Sequence, residues 1–377
     1  MKKLKVGMIG GGGSGNFFGN VHRRAISFDA TREVVAGALR SQPEAALAAA
    51  EEWGVRGYPD YQAMIEACQR GDLELDYITI VTPNHQHFEP AMACLKAGIP
   101  VLCEKPMTMT VAESEQLVDL CERQKTPFIL AHTYTGHPMA MYARELIAAG
   151  EIGEIRKIES WYTQGWLADK LEDSGLQQAD WRTDPKRAGI SNCGGDIGTH
   201  AFVAATWVTG LEVARLSARL NTFVQGRLLD DDFNVIAEMN NGATAMIWAT
   251  QIAIGYKNDN GFRVFGTKGS LEWRQERAEK LLLRQGNHDQ TYWLGANFDF
   301  WPETVASYLR VPAGHHEDFF EALANLHCSL ERRIRGNRGE SVPPPFAHPD
   351  ARTGLAGMKF VGAAVESSRR QGAWTEM

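Results

Sequence analysis

Residues 6–15 read VGMIGGGGSG, a short apolar run that leads into a glycine-rich loop. The loop contains the spacing G-x-G-x-x-G as Gly10, Gly12 and Gly15. Glycines at these places let the backbone turn tightly and approach a pyrophosphate, whose charge then faces the amides at the start of the next helix. Because the pattern follows a predicted strand and opens a strand–helix–strand unit, it predicts a dinucleotide-binding loop.

The far end of this loop has two interpretations. The third glycine of the pattern is either Gly15 or, if Asn16 and Phe17 extend the loop before the helix, Gly19. Both interpretations place the same run of residues beside the phosphates. The residues expected to contact the cofactor here are Gly10, Gly12, Gly13, Ser14, Gly15, Asn16 and Phe17.

The end of the second predicted strand bears on the choice of cofactor. An acidic residue at this place would bind the adenine ribose of NAD, but this chain has Leu-Arg-Ser-Gln at residues 39–42. Arg40 and Ser41 could hold a 2′-phosphate; alternatively, Arg40 stacks on the adenine and Gln42 binds the ribose. We therefore expect Arg40 and Ser41 to contact the cofactor, and these residues leave both NADP and NAD open.

Predicted strands and helices alternate through the first 131 residues, which is typical of a parallel sheet. After residue 132 the pattern changes to runs with strand alternation, joined by hairpin-type turns at residues 240–242 and 266–269. The sequence thus predicts an α/β protein with two domains. Residues 1–131 are expected to form an α/β domain on a parallel sheet, and residues 132–377 an α+β domain with a mostly antiparallel sheet.

Composition and charge exclude several classes of protein. The 377 residues include 39 Lys and Arg against 46 Asp and Glu, so no basic excess is available to neutralise nucleic-acid phosphates. No apolar stretch approaches the length of about 20 residues that a membrane helix needs. The six cysteines are scattered, with no C-x-x-C pair, which favours free thiols in a cytoplasmic protein. We expect neither nucleic acid nor a membrane as a partner.

A polar loop with the sequence TPNHQH at residues 82–87 follows a strand rich in β-branched residues. Such a loop lies at the carboxyl end of the sheet, where ligands bind in open α/β folds. His85 and His87 have the H-x-H spacing that some metal sites use, but no third ligand is spaced nearby. We therefore expect no metal. We expect Thr82, Pro83, Asn84 and His87 to contribute to the cofactor site, with His87 beginning the next helix.

Glu104, Lys105 and Pro106 end the next strand at the same edge of the sheet. The proline biases Lys105 towards an extended backbone, and a lysine beside a carboxylate there is well placed to direct an ammonium group at a ligand. We expect Glu104 and Lys105 to contact the cofactor and Lys105 to contact the substrate. The alternative is a lysine that forms a surface salt bridge.

The sequence NCGGDIGTH at residues 192–200 places Asp196 and His200 four residues apart. If a helix begins near Asp196, the two side chains lie on one helical face. A carboxylate and an imidazole on one face can form a general base, since histidine titrates near the working pH. The alternative is a helix-capping aspartate followed by a core histidine.

In their order along the chain, these motifs resemble those of the glucose–fructose oxidoreductase/inositol dehydrogenase family (Gfo/Idh/MocA). The shared motifs are the glycine loop, Thr-Pro-Asn-His-x-His, Glu-Lys-Pro and Gly-Gly-Asp-x-Gly-x-His. The resemblance implies that residues 1–131 form a doubly wound Rossmann domain. A further implication is that residues 132–377 form a substrate-binding α+β domain whose large, mostly antiparallel open sheet often forms the oligomer interface. It also implies that Lys105 and His200 are the catalytic pair and that Asp196 binds a substrate hydroxyl. The long glycine loop and the missing acid after the second strand depart from the family pattern.

The activity that this resemblance implies is NAD(P)-dependent oxidation of a secondary hydroxyl of a cyclic polyol or pyranose, by hydride transfer. By analogy with this family we expect NAD as the cofactor, with NADP as the alternative. Inositol dehydrogenases are the most similar members, followed by dehydrogenases of aldoses or glycosides. The alternatives are a non-sugar reductase and a catalytically silent cofactor sensor on the same fold. Side chains expected to contact the substrate are Tyr134, His137, Trp166 and His316, with Trp161 and Trp181 as further pocket walls.

One predicted strand of the second domain carries apolar residues on both of its alternating sets. The sequence Ala-Met-Ile-Trp-Ala at residues 245–249 leaves no polar face for solvent. A sheet with helices on one side only then needs a partner on the other side. We therefore expect a homodimer or homotetramer built on this sheet.

Overall fold

The computed structural model describes residues 2–13 and 15–377, which form two compact units. The first unit contains the residues up to 136 together with residues 319–355, and the second contains residues 137–318 and 356–377. This division differs from the single boundary expected after residue 131. The reason is the helix Phe319–Asn337, whose Leu323, Leu326 and Leu330 are buried in one apolar cluster with strands of the first sheet.

Helices occur in both units. In chain order they are α1 (Phe17–Ser27), α2 (Pro43–Trp53), α3 (Tyr61–Gln69), α4 (Phe88–Lys96), α5 (Val111–Gln124), α6 (Pro138–Ala148), α7 (Gln177–Thr183), α8 (Pro185–Ala188), α9 (Thr199–Thr209), α10 (Glu303–Ala306), α11 (Phe319–Asn337) and α12 (Ala351–Arg369). Local signals set several helix starts: Pro43 opens α2, and Thr110 with Glu113 forms a reciprocal capping box before α5. Within the described residues, no helix has the length and apolar character needed to cross a membrane.

The first unit is built on a six-stranded sheet. Its strands are β1 (Leu4–Gly10), β2 (Arg32–Ala38), β3 (Arg56–Gly57), β4 (Tyr77–Val81), β5 (Val101–Glu104) and β6 (Phe128–Ala131). They pair in the order β3-β2-β1-β4-β5-β6, and every pair is parallel. This is the strand order of a dinucleotide-binding doubly wound sheet. The predicted fold class of this half is therefore confirmed.

Both faces of this sheet are buried, as a parallel sheet requires. Ile78 and Ile80 belong to one apolar cluster, whereas Leu102 and Ile129 belong to a cluster on the opposite face. Successive side chains of a strand point to opposite faces, so short apolar strands supply both clusters. Because β1, β4 and β5 are parallel, their carboxyl ends meet at one edge of the sheet. The glycine loop, the loop at residues 82–87 and the Glu-Lys-Pro motif lie at this edge.

The second unit contains a nine-stranded sheet. Its strands are β7 (Ile155–Thr163), β8 (Val213–Asn221), β9 (Asp232–Met239), β10 (Thr244–Thr250), β11 (Asp259–Gly266), β12 (Ser270–Arg274), β13 (Lys280–Gln285), β14 (His288–Trp293) and β15 (Thr375–Glu376). They pair in the order β14-β13-β12-β11-β7-β10-β9-β8-β15, and β7 with β10 is the parallel pair. The predicted large, mostly antiparallel sheet is confirmed.

The two sides of this second sheet differ. On one side, Phe202 of α9 stacks on Phe360 of α12 at 4.5 Å between ring centroids, and both are buried. On the other side, Ile236 and Met246 remain 49% and 42% exposed. The sequence did not predict β14, because most of its residues are exposed and it lacks an alternating apolar pattern.

Candidate active site

Gly19, in the first turn of α1, packs directly against the glycine loop of the first unit. A Cβ atom added at Gly19 would overlap the carbonyl oxygen of Gly11, whereas a Cβ at Gly15 would meet open space. Asn16 caps α1, because its side chain accepts a hydrogen bond from the amide of Gly19 at 3.0 Å. Of the two interpretations of the loop, the structure therefore supports the one in which Gly19 is the third glycine.

The same loop has a backbone that only glycine adopts readily. Gly10 and Gly13 have φ angles of 78° and 97°. A Cβ atom at Gly13 would overlap the guanidinium of Arg40, so that side chain lies across the loop. An eleven-residue helix that begins directly behind a glycine cradle fits the pyrophosphate of a dinucleotide. Ser14, which was expected to contact the cofactor, lies outside the described residues.

The polar loop after β4 is tied down by His87. Its Nδ1 lies 2.6 Å from the carbonyl oxygen of Pro106 and its Nε2 lies 2.9 Å from that of Thr82. The ring is completely buried, and burial lowers the pKa of His87. His87 therefore joins two loops at the sheet edge and exposes no surface to a cofactor, in contrast to our expectation. Across residues 2–13 and 15–377, no three His, Cys, Asp or Glu side chains group as a metal ion would need.

Glu104, the last residue of β5, is hydrogen-bonded at both of its oxygens. Its Oε2 accepts from the backbone amide of Lys105 at 3.2 Å, and its Oε1 lies 2.8 Å from His22 Nε2. Burial alone would raise the pKa of Glu104, but the His22 hydrogen bond and the nearby Lys105 charge lower it below its usual value. The ionised carboxylate thus anchors the lysine motif.

Lys105 also affects a histidine that the sequence did not single out. Burial and the Lys105 charge together lower the pKa of His132 to about 3. His132 follows β6, the strand beside β5, so parallel pairing brings it to the same sheet edge. A neutral, buried imidazole therefore lies within the electrostatic influence of the lysine.

In the second unit, Asp196 lies in a single π-helical turn, residues 194–198, that runs directly into α9. The predicted helical start near Asp196 is therefore present, although its first turn is wider than an α-turn. Asp196 Oδ2 accepts hydrogen bonds from Arg182 Nε and Gln251 Nε2, both at 3.1 Å. His200, in the first turn of α9, is buried, and its ring lies 5.7 Å from that of Tyr162.

The loop before the π turn is anchored by Asp230. Its carboxylate accepts hydrogen bonds from Ser191 Oγ at 2.9 Å and from the amides of Asn192 and Gly194 at 2.9 and 3.0 Å. Burial raises the pKa of Asp230 to about 6 despite these hydrogen bonds. Asn192 in turn donates to Gln251 Oε1 at 2.8 Å. No local motif pointed to Asp230 or Gln251, since both act through tertiary contacts.

Amide and aromatic side chains also lie near the end of β7 in the second sheet. Gln164 Nε2 donates to Asn258 Oδ1 at 2.9 Å, and Trp166 Nε1 donates to Gln164 Oε1 at 3.0 Å. Tyr162 hydrogen-bonds the same Asn258 oxygen. The Arg182 guanidinium lies 4.1 Å from the ring centroid of Trp181. Amides beside aromatic faces can recognise both the hydroxyls and the C–H surfaces of a sugar-like ligand.

The structure also shows the surroundings of the other predicted pocket residues. Trp161 is next to Tyr162 on β7 and therefore points to the opposite face, where it lies 5.3 Å from the Arg263 guanidinium. Its expected role as a pocket wall is wrong for that reason. His137 is buried beside Trp273, with 5.3 Å between the ring centroids. Tyr134 is buried in the first unit and His316 is exposed in the second.

Comparisons with known proteins agree with this arrangement. Residues 4–132 match the family model described as oxidoreductase family, NAD-binding Rossmann fold, and residues 140–272 match the GFO/IDH/MocA C-terminal domain. The chain is 30% identical over 393 residues to the levoglucosan dehydrogenase of Pseudarthrobacter phenanthrenivorans, an alignment that covers 92% of this chain and 93% of that protein.

Two solved structures are similar over the full length. An oxidoreductase from Sinorhizobium meliloti is 37% identical, with a TM-score of 0.87 and complete coverage of both chains. An inositol dehydrogenase homologue from Azotobacter vinelandii, complexed with NADH and myo-inositol, is 28% identical with a TM-score of 0.87, covering 100% of this chain and 98% of that chain. The NAD-binding family model and the glycine cradle together confirm the prediction of NAD as the cofactor.

Proposed function

The chain belongs to the GFO/IDH/MocA oxidoreductase family, as its motifs predicted, and from that membership we propose that it oxidises a secondary hydroxyl of a cyclic polyol or pyranose. The observation that carries this proposal is Asp196, a carboxylate held by Arg182 and Gln251 four residues before His200. Inositol-like polyols are the first candidates, followed by levoglucosan-like sugars, because both kinds of relative are similar along nearly the whole chain.

The first unit would hold NAD through its glycine cradle. Gly10, Gly12 and Gly13 allow close approach of the pyrophosphate, and the α1 amides behind Asn16 face its charge. Thr82 and Asn84 lie at the same carboxyl edge of the sheet, where they would meet the nicotinamide half. When bound, NAD supplies the acceptor for the hydride removed from the substrate carbon.

Side chains of the protein accept the hydroxyl proton and stabilise the negative charge that develops on the reacting oxygen. His200, as a neutral imidazole, takes the proton of the reacting hydroxyl. The Lys105 ammonium stabilises the negative charge that develops on the reacting oxygen, the role that the family resemblance implies for it. Asp196 accepts a hydrogen bond from a neighbouring hydroxyl, and Arg182 with Gln251 keeps its carboxylate oriented.

A substrate panel tests this proposal. The purified protein is incubated with NAD or NADP and with myo-inositol, scyllo-inositol, levoglucosan, D-glucose or D-xylose, and absorbance is followed at 340 nm. We expect turnover of at least one compound, and its loss in His200→Asn. NAD binding without turnover of any compound would instead indicate a silent cofactor sensor, whereas turnover confined to a non-sugar substrate would indicate a reductase of another class.

We also propose that a second copy of the chain covers the open face of the second sheet, giving a homodimer or a homotetramer. Supporting this are Ile236 and Met246, which are exposed side by side on paired strands, since Met246 pairs with Ile236 in the β9–β10 register. Trp248 follows on the same face of β10 and is half-buried. Contiguous exposed apolar surface of this kind is typical of protein interfaces.

A further inference from the structure

Three buried side chains of the first unit form a continuous series of hydrogen bonds that ends on the partly buried Glu104. The Tyr77 hydroxyl lies 2.9 Å from His327 Nδ1, His327 Nε2 lies 3.2 Å from His22 Nδ1, and His22 Nε2 lies 2.8 Å from Glu104 Oε1. Tyr77, His22 and His327 are completely buried. We call this series the relay.

The relay connects parts of the chain that are far apart in sequence. Tyr77 opens β4, His22 lies in α1, His327 lies in α11 and Glu104 ends β5. It therefore runs from the start of one strand to the carboxyl end of its neighbour, across the face of the sheet that α1 and α11 cover. Its last member accepts the backbone amide of Lys105.

The direction of the relay follows from Tyr77. Within the described part of the chain, His327 is the one hydrogen-bond partner of the Tyr77 hydroxyl. A buried hydroxyl that donates to nothing is costly, so the Tyr77 proton points to His327 Nδ1. That nitrogen is then the acceptor of a neutral ring, and His327 carries its proton on Nε2.

The same reasoning applies to the next two hydrogen bonds of the relay. Because His327 Nε2 donates, His22 Nδ1 accepts, and the proton of the neutral His22 ring is on Nε2 and points to Glu104. An imidazolium at His22 would require both of its nitrogens to donate. His327 would then have to donate to Tyr77, whose own proton would be left without an acceptor.

We propose that Tyr77, His327 and His22 form a one-directional series of neutral donors that leaves Glu104 with its full negative charge, as the counter-charge of Lys105. These three are positioning residues, since none of them needs to touch the substrate. The part of this inference that concerns turnover rests on the proposed function, in which Lys105 stabilises charge on the reacting oxygen. The tautomers themselves do not depend on it.

The surrounding charges are compatible with this arrangement. Burial lowers the pKa of His327 well below its usual value, and the Arg32 charge adds to that effect. Burial also raises the pKa of Tyr77, which keeps its hydroxyl protonated, with Arg32, Glu331, Cys328 and Asp76 as the titratable neighbours. At the other end, burial alone would raise the pKa of Glu104, but the hydrogen bond from His22 and the Lys105 charge lower it and favour the ionised carboxylate.

Nitrogen-15 NMR of histidine-labelled protein, without cofactor or substrate, tests the relay directly. The His22 and His327 signals are assigned by their loss in His22→Gln and His327→Gln. We expect both rings to be neutral, with the proton on Nε2. A proton on Nδ1 of either ring, or an imidazolium at His22 near pH 7, would overturn the proposal. This readout is unaffected by an error in the proposed substrate class.

The effect on turnover is tested with His327→Leu and His327→Gln, using the compound of the panel that is turned over fastest. Leucine removes the donor to His22, so we expect kcat to fall roughly 5- to 20-fold while KM for NAD stays within about twofold. Glutamine can accept from Tyr77 and donate to His22, so it should restore most of the kcat. Leu330→Ala, a buried change one turn further along α11, controls for lost stability. Equal kcat values in the Leu and Gln variants would contradict the relay.

Discussion

Arg182 Nε donates to the Asp196 carboxylate at 3.1 Å, which ties the short helix α7 to the π turn before His200. The two side chains are largely buried. Charged hydrogen bonds in such surroundings contribute about 1.5–3 kcal/mol. The orientation of the Asp196 carboxylate, which we propose binds a substrate hydroxyl, therefore depends on a residue outside the motif that contains it.

Arg182→Gln should lower kcat/KM by about tenfold or more, because Asp196 loses one of the donors that orient it. The measurement is steady-state kinetics with the best compound of the panel. Arg187→Gln is the matched control, since Arg187 forms a more exposed ion pair with Asp184 at the start of α8. Similar losses in both variants would assign the effect to this segment as a whole and not to Asp196.

Lys105→Met should leave NAD affinity near that of the wild type but lower kcat by roughly 10²-fold or more, as loss of an electrostatic stabiliser does. Affinity is measured by titration of the cofactor and kcat by the 340 nm assay. Lys96→Met, at the exposed end of α4, should match the wild type. A kcat close to normal in Lys105→Met would remove this lysine from the mechanism.

Arg40→Ala should weaken NAD and NADP by similar factors, because the guanidinium lies against Gly13, in the loop that we propose holds the pyrophosphate. The dissociation constants of both cofactors are compared by calorimetry, with the exposed Arg24→Ala as the control. A loss confined to NADP would show instead that Arg40 holds a 2′-phosphate.

Thermal stability should fall as pH drops from 7 to 5. Burial lowers the pKa of His137 to about 3, whereas a histidine of the unfolded chain titrates near 6.5. Between these values the unfolded state binds more protons, so this contribution to stability is present above pH 6.5 and is lost towards pH 3. His137→Phe should therefore show a smaller decrease in Tm over this range. A decrease equal to that of the wild type would contradict the assignment to His137.

Ile236→Lys should reduce the particle mass in light scattering, because it places a charge in the exposed apolar face of the second sheet. The wild-type protein should have a mass of at least twice the 41.7 kDa of one chain. Phe28→Lys, a change of an exposed apolar residue in the first unit, should leave the mass unchanged. A wild-type mass near 42 kDa at micromolar concentration would refute the oligomer.

The sequence alone determined the fold class, since periodicity and glycine spacing are local properties of the chain. The apolar run at residues 6–9 and the hairpin turn at residues 240–242 correspond to elements that the structure contains. The sequence also pointed to Lys105, Asp196 and His200, because each belongs to a compact motif.

Only the tertiary structure decided which side chains support these motifs. His327 is 305 residues from His22, and Gln251 is 55 residues from Asp196. The hydrogen bonds that join them leave no periodic pattern, because a buried polar group needs one partner in space and not a particular spacing along the chain. For the same reason, the return of residues 319–355 to the first unit followed from packing against its sheet and not from a boundary signal in the sequence.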